Sequence, residues 1–194
     1  MTCFALNFYD EPEELVKKCA ASVKEFFLDS CLVFCDDRIE RLKTPEFSGH
    51  WTERWMKKAL ATDADVIVKV DPDTRCFGCA PFPDSDVFGK ISPPCTYWSE
   101  KDVPWGAVIG FKRDAVKKIV ESGFLLEPHY RGDRPYLTMR GEEWVSLQDP
   151  IVADVMKRLN LSFSEWEGIR IKGHWEKGMP DTANGCTFAH PVRN

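Results

Sequence analysis

The chain has 194 residues, with 26 basic and 31 acidic side chains and a net charge of −5. This length fits one domain with a sizeable hydrophobic core. The lack of a basic block argues against a dedicated nucleic-acid binder or a polybasic membrane anchor. No apolar run approaches the roughly 20 residues of a membrane span, and the first residues lack the pattern of a signal peptide. We therefore expect a soluble, cytoplasmic protein.

The first 36 residues predict a βαβ unit. Residues 2–9 are typical of a strand, and Asp10-Glu11-Pro12 opens a helix with acids and proline in its first turn. Cys31–Cys35 predicts the second strand, which is followed by Asp36 and Asp37. A strand, a helix and a strand at this spacing favour parallel pairing with a right-handed crossover. The apolar face of the helix is predicted to hold Leu15, Val16, Cys19, Ala20, Val23, Phe26 and Phe27.

The next elements continue the alternation. Residues 38–50 are polar and irregular in pattern, and Thr52 is a candidate cap for a helix that runs to about Ala61. Val66–Val70 is dense in β-branched residues, as in a strand buried on both faces. The order β-α-β-α-β excludes both an all-β sandwich and a helical bundle.

The second half is less regular. Strands are predicted at residues 87–91 and 105–111, and a helix that starts near Arg113 is ended by Gly123. Residues 124–146 form a long polar and aromatic insertion. Asp149-Pro150 then opens the last clear helix.

Two acids follow the third strand. In extended chain, Lys69, Asp71 and Asp73 point to the same side, and Pro72 marks where the strand leaves the sheet. Open α/β sheets bind their ligands at the carboxyl ends of strands. Two close carboxylates need a counter-ion, and their hard oxygens suit Mg²⁺ or Mn²⁺.

The segment from Val66 to Thr74 resembles the one that carries the Asp-X-Asp motif in metal-dependent nucleotide-sugar glycosyltransferases of the GT-A fold. The order of elements resembles that fold over nearly the whole chain. The resemblance implies a mixed, mostly parallel sheet flanked by helices in a single domain. Residues 1–75 would then form the nucleotide-sugar half and residues 76–194 the acceptor side.

The resemblance also implies a metal and diphosphate site. Asp71 and Asp73 match the two acids of the motif, with Asp73 the stronger candidate for direct metal contact. Lys69 is either a diphosphate contact or a structural counter-ion to the same acids. His190 resembles the histidine that completes the metal site in such enzymes, although His174 competes for that role. Arg193 resembles the basic residue that follows this histidine toward the phosphates, and Mn²⁺ suits an imidazole better than Mg²⁺ does.

Asp149 is the candidate general base, because it resembles the late acid of the Glu-Asp-type motif of inverting members. The alternative is that an Asp before a Pro serves only as a helix cap. Gln148 stands where many relatives have Glu, and Glu142 and Glu143 are the substitutes for the role of base.

Asp36 and Asp37 end the second strand, where relatives hold the base or ribose by a carboxylate, and Tyr9 follows the first strand, where its ring could stack on the base. The alternative is an ordinary strand end and an ordinary surface aromatic side chain. By the frequency of donors in the family, the resemblance implies a UDP-sugar. It also implies inversion of configuration and an acceptor that is a glycan, a glycolipid or a protein.

Two other functions compete with this interpretation. A sugar-1-phosphate nucleotidyltransferase needs a glycine-rich basic loop after the first strand, but residues 7–12 contain no glycine and two acids. A zinc-stabilised interaction module could be built on Cys76 and Cys79, whose Cys-x-x-Cys spacing suits half of a zinc site. Two further ligands would have to come from Cys95, Cys186 or a histidine. Redox catalysis is disfavoured, because the following Ala80–Pro83 is poor for the helix that such a pair needs.

Overall fold

A six-stranded sheet forms the centre of the molecule. The structure is a computed structural model that describes residues 1–8, 11–36, 47–91, 104–131, 134–135, 137–140, 143–146, 148–171 and 188–190. In spatial order the strands are β11 (Phe163–Glu165), β5 (Val87–Ile91), β6 (Pro104–Lys112), β3 (Val66–Val70), β1 (Thr2–Phe8) and β2 (Cys31–Asp36). β6 is antiparallel to both of its neighbours, and the other five strands run in one direction.

Helices cover both faces of this sheet. They are α1 (Glu13–Phe26), α2 (Phe47–Leu60), α3 (Arg113–Ser122) and α4 (Gln148–Arg158). Helix α1 contributes to the core on one face, and α2, α3 and α4 contribute to the core on the other. The predicted mixed, mostly parallel sheet flanked by helices is therefore confirmed. None of the helices in the described part of the chain is long and apolar enough to cross a membrane.

Short elements complete the fold. A 3-10 helix occupies Phe124–Leu126, and the short strands are β4 (Arg75–Cys76), β7 (Tyr130–Arg131), β8 (Arg134–Pro135), β9 (Leu137–Arg140), β10 (Glu143–Ser146), β12 (Ile169–Ile171) and β13 (Phe188–His190). The predicted insertion at residues 124–146 thus contains two small antiparallel pairs, β7 with β8 and β9 with β10. β12, β13 and β4 form a separate three-stranded sheet.

Three local predictions are wrong. Helix α2 begins at Phe47, so Thr52 is a fully buried residue inside the helix and not its cap. Pro12 is the cap of α1 and precedes its first turn. Phe26, which was predicted to be buried, is exposed at the end of α1, whereas Phe27, which follows the helix, is buried as predicted. By contrast, the strand Val87–Ile91 and the end of α3 at the left-handed Gly123 agree with the sequence.

Candidate active site at the edge of the sheet

The end of β3 and the start of β6 lie at the same edge of the sheet, because the two strands are antiparallel. Val70 pairs with Val108, and the backbone N–H of Asp71 donates to the carbonyl of Ala107 at 2.8 Å. The predicted acid after β3 is therefore held directly against the first residues of β6. This is the carboxyl edge of the parallel strands, where α/β sheets place ligand sites.

Lys69 is buried at this edge, with only 2% of its surface exposed. Its ammonium donates to Oδ1 of Asp71 and to the carbonyl of Gly106, and it lies 5.8 Å from the centre of the Trp51 ring. A buried ammonium is tolerated only where a carboxylate and further acceptors replace water. Of the two roles predicted for Lys69, these contacts favour that of counter-ion.

Asp149 lies on the other side of the same backbone segment. Helix α4 begins at Gln148, so Asp149 stands in the first turn, where the helix dipole stabilises a carboxylate. A Cβ atom built on Gly106 would overlap Oδ1 of Asp149 and lie 3.1 Å from its Cγ. Only glycine at position 106 lets this carboxylate approach β6 so closely. Asp71 and Asp149 are thus brought together through Lys69 and Gly106.

The loop after β3 folds back as a turn. The N–H of Thr74 donates to the carbonyl of Asp71 at 3.0 Å, and the guanidinium of Arg75 donates to the carbonyl of Thr74 at 3.0 Å. Asp73, at the centre of this turn, is partly exposed. The turn therefore leaves both acids of the predicted motif partly exposed, while the backbone of Asp71 stays bonded to the sheet.

Cys19 of helix α1 contacts the backbone of this turn. Its thiol donates to the carbonyl of Asp71 at 3.7 Å. Burial raises the pKa of this thiol to about 12, and the nearby carboxylates of Asp71 and Asp73 raise it further, against the opposing charge of Arg75. Cys19 is consequently a neutral packing residue beneath the acidic loop and not a nucleophile.

The C-terminal strand β13 runs beside this loop. It is antiparallel to β4, with Ala189 opposite Arg75. The same register, continued by one residue, brings the backbone of His190 beside Thr74, the neighbour of Asp73. The predicted proximity of His190 to the motif is therefore consistent with the backbone. Arg193 and the competing His174 lie outside the described residues.

The other predicted nucleotide contacts are only partly described. Asp36 ends β2 and is exposed at the same carboxyl edge of the sheet. Tyr9 and Asp37 lie outside the described residues, as does Glu142. Glu143 belongs to β10, in the insertion.

Asn7 is a polar residue at this edge that the sequence did not single out. It is 1% exposed near the end of β1, yet neither its Nδ2 nor its Oδ1 has a hydrogen-bond partner among the described residues. It follows Ala5, the register partner of Lys69, by two positions, so both side chains project from the same face of the sheet. Buried amides are nearly always hydrogen-bonded, so an unsatisfied one marks a position that water or a ligand can satisfy.

The Cys-x-x-Cys segment has a packing role in the described structure. Cys76 is buried in the core beneath α1, and its thiol donates to the carbonyl of Gly78 at 3.2 Å, whereas Cys79 is exposed. Neither cysteine forms a disulfide in the described structure. Cys95 and Cys186 lie outside the described residues, so a zinc site that includes them remains a prediction.

The described residues hold no cluster of three or more His, Cys, Asp or Glu side chains able to bind a metal ion. Asp71 and Asp73 nevertheless supply the hard oxygen ligands that Mg²⁺ and Mn²⁺ accept, and both cations keep water or substrate phosphates in their coordination shell. The donor set therefore fits a cation that is shared with a phosphorylated ligand.

Comparison with known proteins identifies the fold. No protein-family model and no curated protein sequence matches the chain. A glycosyltransferase involved in the glycosylation of the major capsid of PBCV-1 superposes with a TM-score of 0.62 at 13% identity, covering 97% of this chain and 91% of the other. Drosophila β-1,4-galactosyltransferase 7 superposes with a TM-score of 0.55 at 15% identity, covering 100% of this chain and 71% of the crystallised Drosophila chain.

These neighbours are GT-A-type glycosyltransferases, and the chain shares their fold. One of the Drosophila structures is a mutant in complex with manganese, UDP-Gal and xylobiose, and another is a catalytic domain in complex with xylobiose.

Proposed function

We propose that this chain is a metal-dependent glycosyltransferase that transfers a sugar from a nucleoside-diphosphate donor, with a UDP-sugar as the first candidate. The observation that carries the proposal is the meeting of Asp71 and Asp149 across Lys69 and Gly106. It occurs at the ligand-binding edge of a sheet shared with enzymes that use such donors.

Residues 1–75 form the donor side in this proposal. Asp73 and Asp71 would hold Mn²⁺ or Mg²⁺ together with His190, while Tyr9, Asp36, Asp37 and Arg193 would bind the nucleotide. The cation supplies positive charge that neutralises the leaving diphosphate. Because Lys69 already binds Oδ1 of Asp71, the Oδ2 atom is the one left to face a ligand. This supports Asp73 as the main metal ligand.

Residues 76–194 form the acceptor side, and Asp149 is the general base. Its carboxylate would take the proton of an acceptor hydroxyl while the hydroxyl oxygen attacks the anomeric carbon. The bond from that carbon to the diphosphate then breaks, the nucleoside diphosphate leaves, and the proton passes from Asp149 to water. Attack from the face opposite the leaving group inverts the anomeric configuration. The acceptor would be a glycan, a glycolipid or a protein.

The first test is calorimetric titration of UDP, GDP and their sugar conjugates in the presence of Mn²⁺ and then of EDTA. We expect one nucleotide family to bind with Mn²⁺ and to lose affinity in EDTA. Absence of binding under every condition would contradict the proposal and direct attention to zinc at Cys76 and Cys79.

Asp73→Ala should weaken Mn²⁺-dependent donor binding by at least about tenfold, because a charged metal ligand is lost. Asp84→Ala is the matched control, since Asp84 is a fully exposed acid on another loop, 3.7 Å from Lys112. Equal donor affinity in the two variants would place the metal elsewhere.

Asp149→Asn should leave donor binding intact and lower the transfer rate about 10²–10⁴-fold, the usual contribution of a general base. The change keeps the size of the side chain, so the fit against Gly106 is preserved. Full transfer activity in this variant would exclude Asp149 as the base and favour Glu142 or Glu143.

A further inference from the structure

The ammonium of Lys69 joins two parts of the molecule that are distant in sequence. It binds the side chain of Asp71, two residues further along its own strand, and the carbonyl of Gly106 on β6. The side chain is 3% exposed, so a bound donor has little access to the ammonium. Two of the three ammonium donors have protein acceptors, and the ring of Trp51 lies 5.8 Å away.

Gly106 extends this connection to helix α4. Its carbonyl accepts from Lys69, and the position where other residues carry a side chain is occupied by the carboxylate of Asp149. A displacement of the backbone at Gly106 would therefore move the surface against which Asp149 packs. Because close-packed groups transmit small shifts, the two acids cannot move independently of this segment.

We infer that Lys69 is a positioning residue, which fixes the distance between the acid of the β3 loop and the acid of helix α4 by holding Gly106. This inference rests on the proposed function for its catalytic consequence. Because its ammonium is buried and bonded to protein acceptors, Lys69 acts in this inference through Asp71 and Gly106.

Amide hydrogen exchange tests this connection without any assay of activity. Two hydrogen bonds of equal length close the two ends of the β3–β6 pair: the N–H of Asp71 to Ala107 at 2.8 Å, and the N–H of Arg113 to Asp65 at 2.8 Å. In Lys69→Met, exchange of the Asp71 amide should accelerate about tenfold or more, because the adjacent charged hydrogen bonds are lost. Exchange of the Arg113 amide should not change.

Lys112→Met is the matched control. Lys112 is on β6 at the opposite end of the same strand pair, is partly exposed, and lies 3.7 Å from Asp84. The Lys112→Met substitution removes one positive charge from the same strand pair, as Lys69→Met does, but it should leave the exchange rate of the Asp71 amide unaltered. Equal acceleration at both ends in Lys69→Met would show a general loss of stability and would overturn the inference.

The kinetic measurement separates positioning from donor binding. In Lys69→Met, kcat should fall about a hundredfold, as expected for a displacement near 1 Å, while the donor Kd changes little. Lys69→Arg, which keeps the charge, should recover part of kcat. A loss confined to donor Kd, with kcat unchanged, would mean that Lys69 binds the diphosphate and would overturn the inference.

Gly106→Ala tests the same connection at the contact between Gly106 and Asp149. Unlike Lys69→Met, it does not leave the carboxylate of Asp71 without its ammonium. The added methyl overlaps the carboxylate of Asp149, so kcat should fall with donor binding retained. Unchanged kcat would overturn the inference even if Lys69→Met fails to fold. If no nucleotide sugar binds the unmodified protein, the proposed function has failed, and the exchange experiment alone decides whether Lys69 makes the connection.

Discussion

Two buried basic side chains in this molecule, Lys69 and His129, have the same set of partners, one carboxylate and one backbone carbonyl. Lys69 donates to Asp71 and to the carbonyl of Gly106. His129, whose side chain is 2% exposed, has Nδ1 at 2.8 Å from Oδ2 of Asp154 and Nε2 at 2.8 Å from the carbonyl of Phe124.

The two sites connect different elements. Lys69 joins β3 to β6 at the candidate active site. His129 joins the segment after the 3-10 helix to α4, the helix whose first turn holds Asp149. Arg158 strengthens this second connection, because its guanidinium donates to Glu127 at 2.7 Å and lies 3.6 Å from the centre of the Phe124 ring. Helix α4 is therefore held at one end by β6 and along its length by the insertion.

Lysine and histidine differ in the free energy that it takes to remove their charge, and this difference affects how each connection responds when its carboxylate is lost. An ordinary lysine costs about 4–5 kcal/mol to neutralise at pH 7, whereas an ordinary histidine costs almost nothing. A lysine that loses its carboxylate must keep a buried charge or bear that cost, but a histidine can release a proton. The lysine is suited to a permanent part of the site, and the histidine to a connection that tolerates rearrangement.

Asp71→Ala should have the largest effect on stability, because it leaves the ammonium of Lys69 buried without its carboxylate. Removing one partner of a buried pair costs about 3–5 kcal/mol, and we expect the lower end because water reaches the 31% exposed side chain of Asp71. Urea unfolding measures the loss. Adding Lys69→Met to this variant should restore part of the stability, and a double variant that is less stable still would break the comparison.

Asp154→Ala should cost less, about 1–2 kcal/mol, because the neutral imidazole can still donate through Nε2 to the carbonyl of Phe124. Asp154 is 38% exposed, close to the value for Asp71, so the two alanine variants differ mainly in the basic side chain that they leave behind, His129 or Lys69. Unfolding both in urea at pH 7 gives the contrast directly. An equal loss of unfolding free energy in Asp154→Ala and Asp71→Ala would show that it does not matter whether the remaining side chain is a histidine or a lysine.

The sequence predicted the elements whose pattern is long and regular. The buried strand Val66–Val70 and the βαβ unit at the N-terminus were correctly identified, since apolar runs report burial over a whole element. The start of helix α2 was misplaced because residues 38–50 look polar and irregular and Thr52 is a good cap; the first turn of the helix also contains Gly49, a residue that usually weakens a helix. Here the glycine is required by packing, since a Cβ at this position would overlap the carbonyl of Leu125. Strands of two or three residues, such as β4 and β13, have no periodicity to detect.

The candidate site was predictable only in part. Asp71 and Asp149 carry recognisable local patterns, and Lys69 was expected on the same side as Asp71. That Gly106 lies between Lys69 and Asp149 depends on the antiparallel insertion of β6 beside β3, which local pattern does not specify. Asn7 was considered only as part of a loop that lacks glycine, because its isolation from hydrogen-bond partners is a property of the folded chain.

Asp86 sharpens the comparison from the other direction, since the hydrogen bonds described for its carboxylate come from neutral donors and the charge of Lys118 is the smallest of the influences on its pKa. The N–H of Ser162 at 2.9 Å and the hydroxyl of Ser162 at 2.8 Å both donate to its Oδ2, which connects the start of β5 to the residue before β11. These hydrogen bonds hold the pKa of Asp86 below its ordinary value of 3.8, and the one from the backbone N–H of Ser162 has the larger effect. A lowered pKa in the folded state means that the stabilisation is complete above about pH 4 and is lost as the pH falls through the folded value.

Asp86→Asn should therefore be less stable than the unmodified protein at pH 6, by no more than about 1 kcal/mol because the site is exposed. Other acids titrate in the same range, so the quantity to measure is the difference between the two proteins in urea at pH 6 and at pH 3. The difference should narrow as the pH falls through the lowered pKa of folded Asp86, because the protonated side chain no longer offers its donors a charged acceptor. A difference that stays constant down to the lowest pH at which both proteins fold would show that these hydrogen bonds do not depend on the charge of the carboxylate.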